Sequence, residues 1–373
     1  MSRPIHFFKL TGVLFLALFL GGCVSPGQKD GLRLVRRIAL PGVAAPRLDA
    51  GIPGRIDHMA YDPATRRLFV AALENGSLEV LDCETGSRVR SIGGLQKPQG
   101  IAILASSSRA VVACGGDGRL RVYDTRTLEE KATVEIGADA DNARYDATNN
   151  TVLVAYGDTN GGAIAILDAA TFAKQREIPF NSKPESFQID PGGNFVMVNL
   201  PGGVRESRDG VVAVADRVGG AVEAVIALRD RARNFPMALD AAHQRVFIAS
   251  RKPARLIEID RHHFDVIAEA ACIDDSDDLY YDAQTSRVLV IGGGFRPDLL
   301  AAGTASPASP PGQTGAIDVF SVGENGALAR VGSTETAPHA RTGLFVPSRR
   351  ALYIAVPPRQ GQAAEIREYA VSE

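Results

Sequence analysis

Seven polar clusters recur along the chain at similar intervals, and each holds side chains able to bind ions or move protons. They are Arg55, Asp57 and His58; Lys97 and Gln99; Asp139, Asp141, Asn142 and Arg144; Lys183 and Glu185; Arg231, Arg233 and Asn234; Asp274, Asp275, Asp277 and Asp278; and His339 and Arg341. Carboxylates serve as general bases or hard oxygen ligands, imidazoles titrate near neutrality, and guanidiniums clamp anions through paired N–H groups. No cluster is a motif alone, so each matters only if the fold brings it to the others.

Two clusters suggest particular chemistry. The run Asp274 to Asp278 offers oxygen ligands for Ca²⁺, with Asp141 or Glu185 from neighbouring copies, but it lacks the EF-hand spacing and glycine. The competing reading is a hydrated turn. His58 and His339 with Asp57 are possible transition-metal ligands, although two histidines without a placed third ligand are a weak signal. No metal, cofactor or catalytic residue is therefore assigned. Arg261, His262 and His263 belong to a turn on the other side and read as exposed.

The elements that position these clusters form a repeated sentence. An apolar strand leads to a polar turn, a second strand such as Arg67 to Ala71, another turn, and a third strand closing on Asp. The closing residues are Asp82, Asp124, Asp168, Asp216 and Asp260, at steps of 42, 44, 48 and 44 residues. Such a period with three or four short strands per copy predicts a β-propeller. Seven first strands, ending at Asp62, Leu104, Asp146, Asp190, Asp240, Asp282 and Val346, predict seven blades.

Strand pattern adds detail. Second strands such as Ala110 to Ala113 and Val246 to Ala249 are continuously apolar, as expected between neighbouring sheets. Third strands, with Leu78 and Val80 or Leu120 and Val122, alternate and predict a place nearer the rim. The last copy ends one strand short, while residues 32–40 precede the first copy with no blade of their own. The predicted fold is thus all-β, a seven-bladed propeller closed by an N-terminal strand that completes the last blade.

This topology sends the polar clusters and the turns between second and third strands to one face, around the channel mouth. The candidate ligand-binding residues there are Asp57, His58, Gln99, Asp141, Asn142, Arg144, Glu185, Arg233, Asn234, Asp277, Asp278, His339 and Arg341. Two excursions share that face: residues 201–210, and the Ala/Pro/Ser-rich stretch 295–315, whose composition favours disorder.

Residues 1–22 form a different unit, with Arg3 and Lys9 before the apolar run Leu10 to Leu20. As a helix, eleven residues cover about 16 Å, roughly half a hydrocarbon core, so a secretory signal is expected rather than a span. Leu20-Gly21-Gly22-Cys23 resembles the bacterial lipobox, which implies cleavage before Cys23 and lipid on its thiol; the alternative is an ordinary signal followed by a chance cysteine. Val24 stands where Asp would mark inner-membrane retention, so the outer membrane, facing the periplasm, is expected. Residues 23–31 then form a lipidated tether, and residues 32–373 the propeller.

The composition narrows function further. Net charge is −2 over 373 residues, which gives no reason to expect nucleic acid as a partner. Cys83, Cys114 and Cys272 are an odd, scattered set and no disulfide framework, and Cys114 reads as core. There is no Trp, which excludes WD signatures and Trp-docked quinoprotein blades. No Cys-x-x-Cys-His, Gly-x-Ser-x-Gly, His-Glu-x-x-His or phosphate loop occurs.

Phrases such as Asp139 to Asp146, Pro184 to Gln188, Asn234 to Asp240 and Ala337 to Pro347 resemble bacterial YncE-like, or YVTN-repeat, propeller proteins. Phe69-Val70-Ala71 and Phe247-Ile248-Ala249 depart from the YVTN wording itself. The resemblance implies the fold and a binding role without an agreed reaction, so the expectation is an anchored, monomeric module for a protein or small ligand. The alternative is a lactonase-like hydrolase, because Ile317 to Leu328 resembles a blade of that family. There His58, Glu185 or Asp278 would act as base, and Arg231, Arg233 or Arg341 would hold anionic charge.

Overall fold

The computed structural model describes residues 31–44, 54–158, 160–202, 209–294, 314–323, 326–359 and 361–372. The leader, Cys23 and the tether before residue 31 lie outside them, as do residues 203–208 and 295–313 of the two excursions.

Strand β1 (Leu32–Leu40) precedes the first blade, which is β2 (Met59–Asp62), β3 (Arg67–Ala72), β4 (Ser77–Asp82) and β5 (Ser87–Gly93). The second comprises β6 (Pro98–Leu104), β7 (Arg109–Cys114), β8 (Arg119–Asp124) and β9 (Glu130–Glu135). In the third are β10 (Ala143–Asp146), β11 (Thr151–Asp158), β12 (Gly161–Asp168) and β13 (Lys174–Phe180). The fourth holds β14 (Phe187–Ile189), β15 (Phe195–Leu200), β16 (Val211–Asp216) and β17 (Ala221–Ala227). Next come β18 (Ala232–Asp240), β19 (Arg245–Lys252), β20 (Ala254–Asp260) and β21 (Val266–Ala271). The sixth blade is β22 (Ser276–Asp282), β23 (Arg287–Gly292), β24 (Ala316–Val322) and β25 (Leu328–Glu335). The last has β26 (Gly343–Val346), β27 (Ala351–Val356) and β28 (Ala364–Val371).

All seven sheets have four antiparallel strands, and the seventh runs β1-β28-β27-β26. The ring is therefore a seven-bladed propeller closed by its N-terminal strand. Pairing extends from Leu32 opposite Val371 to Leu40 opposite Ala364, and it buries Leu32, Ile38 and Leu40. Arg36 adds polar closure: its Nε meets Glu368 at 3.0 Å, while Nη1 donates to the Glu84 carbonyl of the first blade at 3.0 Å.

Continuously apolar second strands are buried along nearly their whole length, because both faces pack on adjacent blades. Third strands lie one place nearer the rim than second strands, as expected, but strands such as β4 are buried too, and the rim itself is made by the fourth strands, such as the largely exposed β5. Glu79 is accommodated inside β4 because it accepts hydrogen bonds from Ser77 Oγ at 2.6 Å, Ser91 Oγ at 2.7 Å and Arg88 Nη1 at 3.1 Å. Closing aspartates cap the next turn: Asp82 Oδ1 accepts the N–H groups of Glu84 and Thr85, and Asp260 Oδ1 those of His262 and His263. Cys83, Cys114 and Cys272 form no disulfide.

Candidate functional site

Backbone pairing fixes how residues approach the channel. Asp57 donates its N–H to Ala71 O at 2.7 Å, Asp141 to Ala155 O at 2.8 Å, and Glu185 to Asn199 O at 3.0 Å, always at the mouth end of a second strand. In the last blade Ala355 donates to Thr342 O, which puts Arg341 at the same position. Gln99, Phe235 and Asp277 occupy the corresponding place within the irregular pairings 98–101, 234–237 and 276–278. Each blade thus delivers one residue of this register to a single cavity of about 360 Å³.

Cations stand among and between these seven. Lys183 Nζ lies 2.7 Å from Asp139, 2.9 Å from Asp141 and 3.5 Å from Glu185, joining the third and fourth blades. Arg251 meets Asp275 at 3.2 Å, pairs with Asp277, and donates Nε to Ser276 O at 2.8 Å. Its guanidinium carbon lies 4.1 Å from the Phe235 ring centroid, a cation–π contact within the fifth blade. Arg341 Nη1 and Nε contact Asp275 and Asp277 at 3.1 and 2.7 Å. Arg55 reaches Asp57 at 3.4 Å, and Gln99 Nε2 donates to Asp139 at 3.1 Å.

Burial and charge act against each other in these groups. Burial lifts the Asp57 carboxyl although Arg55 and His58 pull it down. The same desolvation, with Asp141, Asp277 and Asp139 adding to it, overcomes Lys183 and pushes Glu185 up to about 8. Burial would lower the His58 imidazole, yet Asp278 at 3.5 Å, with Asp57 and Asp141, lifts it to about 10. Burial alone would raise Asp277, but Arg251 and Arg341 hold it well below the ordinary carboxylate range. Near neutral pH the mouth therefore contains the His58 imidazolium and a largely protonated Glu185 carboxyl among its ion pairs.

Among the sequence candidates, Asp57, His58, Gln99, Asp141, Glu185, Asp277 and Arg341 line the cavity. Others stand behind it. Asp278 accepts from Gly343 N at 2.9 Å and supports His58; Asn142 Nδ2 donates to Asp141 at 3.4 Å. Asn234 is buried, donating to Asn199 Oδ1 at 3.0 Å and Val211 O at 3.0 Å. Arg233 and His339 hold left-handed backbone at φ 60° and 63°, outside the lining, and the His339 N–H bonds Gly293 O. Arg144 lies deeper, over the Phe187 ring.

The hydrated reading of residues 274–278 is corrected: Asp275 and Asp277 are saturated by two arginines, and Asp274 Oδ1 accepts the Asp275 N–H at 2.7 Å. His58 turns to Asp278 instead of joining His339 and Asp57 as a ligand set, and Arg231 pairs with Glu269 at 2.6 Å, away from the cavity. Arg251, Phe235, Leu73 and Glu74 are lining residues that the sequence reading did not name. The charged pair Arg251-Lys252 ending the apolar run of β19 was the available signal.

No protein-family model matches the chain, and no curated protein sequence does. Solved structures do. The chain is similar to a chain in a crystal structure of a mitotic checkpoint complex, with a TM-score of 0.69 and 11% identity over 100% of both chains. It is also similar to a chain of the Kuenenia stuttgartiensis hydrazine synthase, with a TM-score of 0.65 and 15% identity over 86% of this chain and 97% of that one. Likeness at such low identity shows the propeller architecture alone.

Proposed function

We propose that the chain is a binding module whose ligand, a small polar molecule or the charged end of a protein partner, sits in the channel mouth. The observation that carries this is the ring of seven unlike residues, one from each blade at one register position, around a cavity of about 360 Å³. Its charges are already oriented by mutual ion pairs, so a ligand would meet a preorganised polar surface at little cost in side-chain entropy. The finer parts of the proposal are a YncE-like identity and anchoring to the outer membrane through lipid on Cys23.

The test is ligand capture from envelope extract followed by calorimetric titration of what is captured. Q99A and E185Q remove lining groups without removing a cation, and each is expected to weaken binding at least tenfold, with the melting midpoint little changed in Q99A and not lowered in E185Q. Unchanged affinity in both variants would sink the proposal.

A hydrolytic reading has one observation in its favour, the Glu185 carboxyl pushed up to about 8, which suits proton transfer near neutrality. His58, lifted to about 10, is protonated there and unsuited to act as base. Turnover of a lactone panel by the wild type, abolished in E185Q, would favour this reading over simple binding.

A further inference from the structure

Below the mouth, strand register defines a level of the channel to which every inner strand contributes one residue. Ala60 pairs with Phe69, Ala102 with Val111 and Ala238 with Phe247, so three blades present only a methyl group. Gln188 opposite Met197, Tyr280 opposite Leu289 and Leu344 opposite Tyr353 fill the same position elsewhere. The third blade places Arg144 there, opposite Leu153.

The polar neighbours at this level are committed. Gln188 Nε2 donates to Met237 O at 2.8 Å, and Tyr280 Oη donates to Gly343 O at 2.8 Å. Arg144 is different. Its Nη1 donates to Ala143 O at 2.9 Å, and its guanidinium carbon stands 5.5 Å from the Phe187 centroid, but among the described residues no carboxylate comes within ion-pair distance. Burial holds its basicity below the ordinary arginine value, and Tyr280, Asp278 and Asp141 act on it only at longer range. Arg251 and Arg341, by contrast, each grip two carboxylates. A half-buried guanidinium lacking a counter-ion is costly, and an anion supplies both the charge and the acceptors it lacks.

We propose that the ligand of this propeller is an organic anion whose carboxylate or phosphate group reaches Arg144 in the channel. The proposal rests on the reading of the mouth as a binding site and adds its ligand class.

The test uses the whole chain in low-chloride buffer, titrated calorimetrically with succinate, inorganic phosphate, putrescine and glucose. Saturable binding of succinate or phosphate is expected, at least tenfold weaker in R144Q, with R144K intermediate because it keeps the charge and loses the paired N–H groups. R144Q is expected to melt no lower than the wild type, since it removes an uncompensated cation; if it misfolds, R144K supplies the comparison. Binding of succinate alone assigns a carboxylate, and of phosphate alone a phosphoryl group. Absence of saturable binding of either anion up to about 10 mM, a weak affinity by any standard, overturns the proposal. So does putrescine or glucose binding that Q99A weakens and R144Q leaves untouched, although that result keeps the mouth as a binding site.

Discussion

Arg341 Nε lies 2.7 Å from Asp277 Oδ2, and through this ion pair the approach to the last blade is held to the sixth. Asp275 and Arg251 complete a buried square of two carboxylates and two guanidiniums in which each charge has two opposite neighbours. The ring thus has polar stitching on the mouth side as well as apolar packing between blades.

Removing Arg341 should be severe, because it strands buried negative charge. R341A is expected to cost about 3–5 kcal/mol in urea unfolding, the usual consequence of breaking one side of a buried pair. R341K should restore only part of this, since an ammonium cannot address two carboxylates in a fork. A loss below about 1 kcal/mol would place the pair with exposed bridges instead.

Stability should fall as pH rises from mildly acid to alkaline. Glu185 ionises near 4.5 when unfolded and about 8 when folded, so between those values the folded state holds the extra proton. One such proton tilts stability downward by up to about 1.4 kcal/mol per pH unit. His58 rises from 6.5 to about 10, so its contribution is full below 6.5 and is lost as pH climbs through 10. Chemical denaturation across pH should show E185Q flattening the lower limb and H58Q the upper one.

Closure depends on β1, whose fully buried Ile38 and Leu40 pack between the last and first blades and whose Leu32 packs between the last and sixth. Each such side chain contributes about 1.5–3 kcal/mol of burial, so deleting residues 32–40 should remove several kcal/mol and uncover a strand edge. Leu40→Ala alone should cost about 2–5 kcal/mol. Differential scanning calorimetry decides; a deletion that melts like the full chain would refute closure by this strand.

Gly100 sits against the neighbouring blade: an added Cβ would lie 2.2 Å from Asp141 O and 2.7 Å from Ala143 N. Backbone must move to admit it, so Gly100→Ala should displace Asp141 from its partner Lys183. The expected result is a melting midpoint lowered by several degrees, about what 1–2 kcal/mol does in a domain of this kind, together with weakened ligand binding.

The architecture was legible in the chain because repetition is a one-dimensional signal. Continuous apolar runs, closing aspartates and the unmatched strand at residues 32–40 each report local packing demands that every copy shares. Burial of the third strands was less legible, since alternation looks alike whether the second face meets solvent or a neighbouring blade, and Glu79 is buried only because Ser77, Ser91 and Arg88 surround it.

The site divides along the same line. By itself the sequence determined which residues stand before each inner strand, and hence that Asp57, Gln99, Asp141, Glu185, Asp277 and Arg341 approach one channel. Only the tertiary structure decided which charges neutralise one another. Asp275 and Asp277 bind Arg251 and Arg341, His58 turns to Asp278, and Arg144 has no carboxylate within ion-pair distance among the described residues. Spacing along the chain fixes the blade and level of a side chain, whereas ion pairing falls off over a few ångströms across blade boundaries, distances that only ring closure sets.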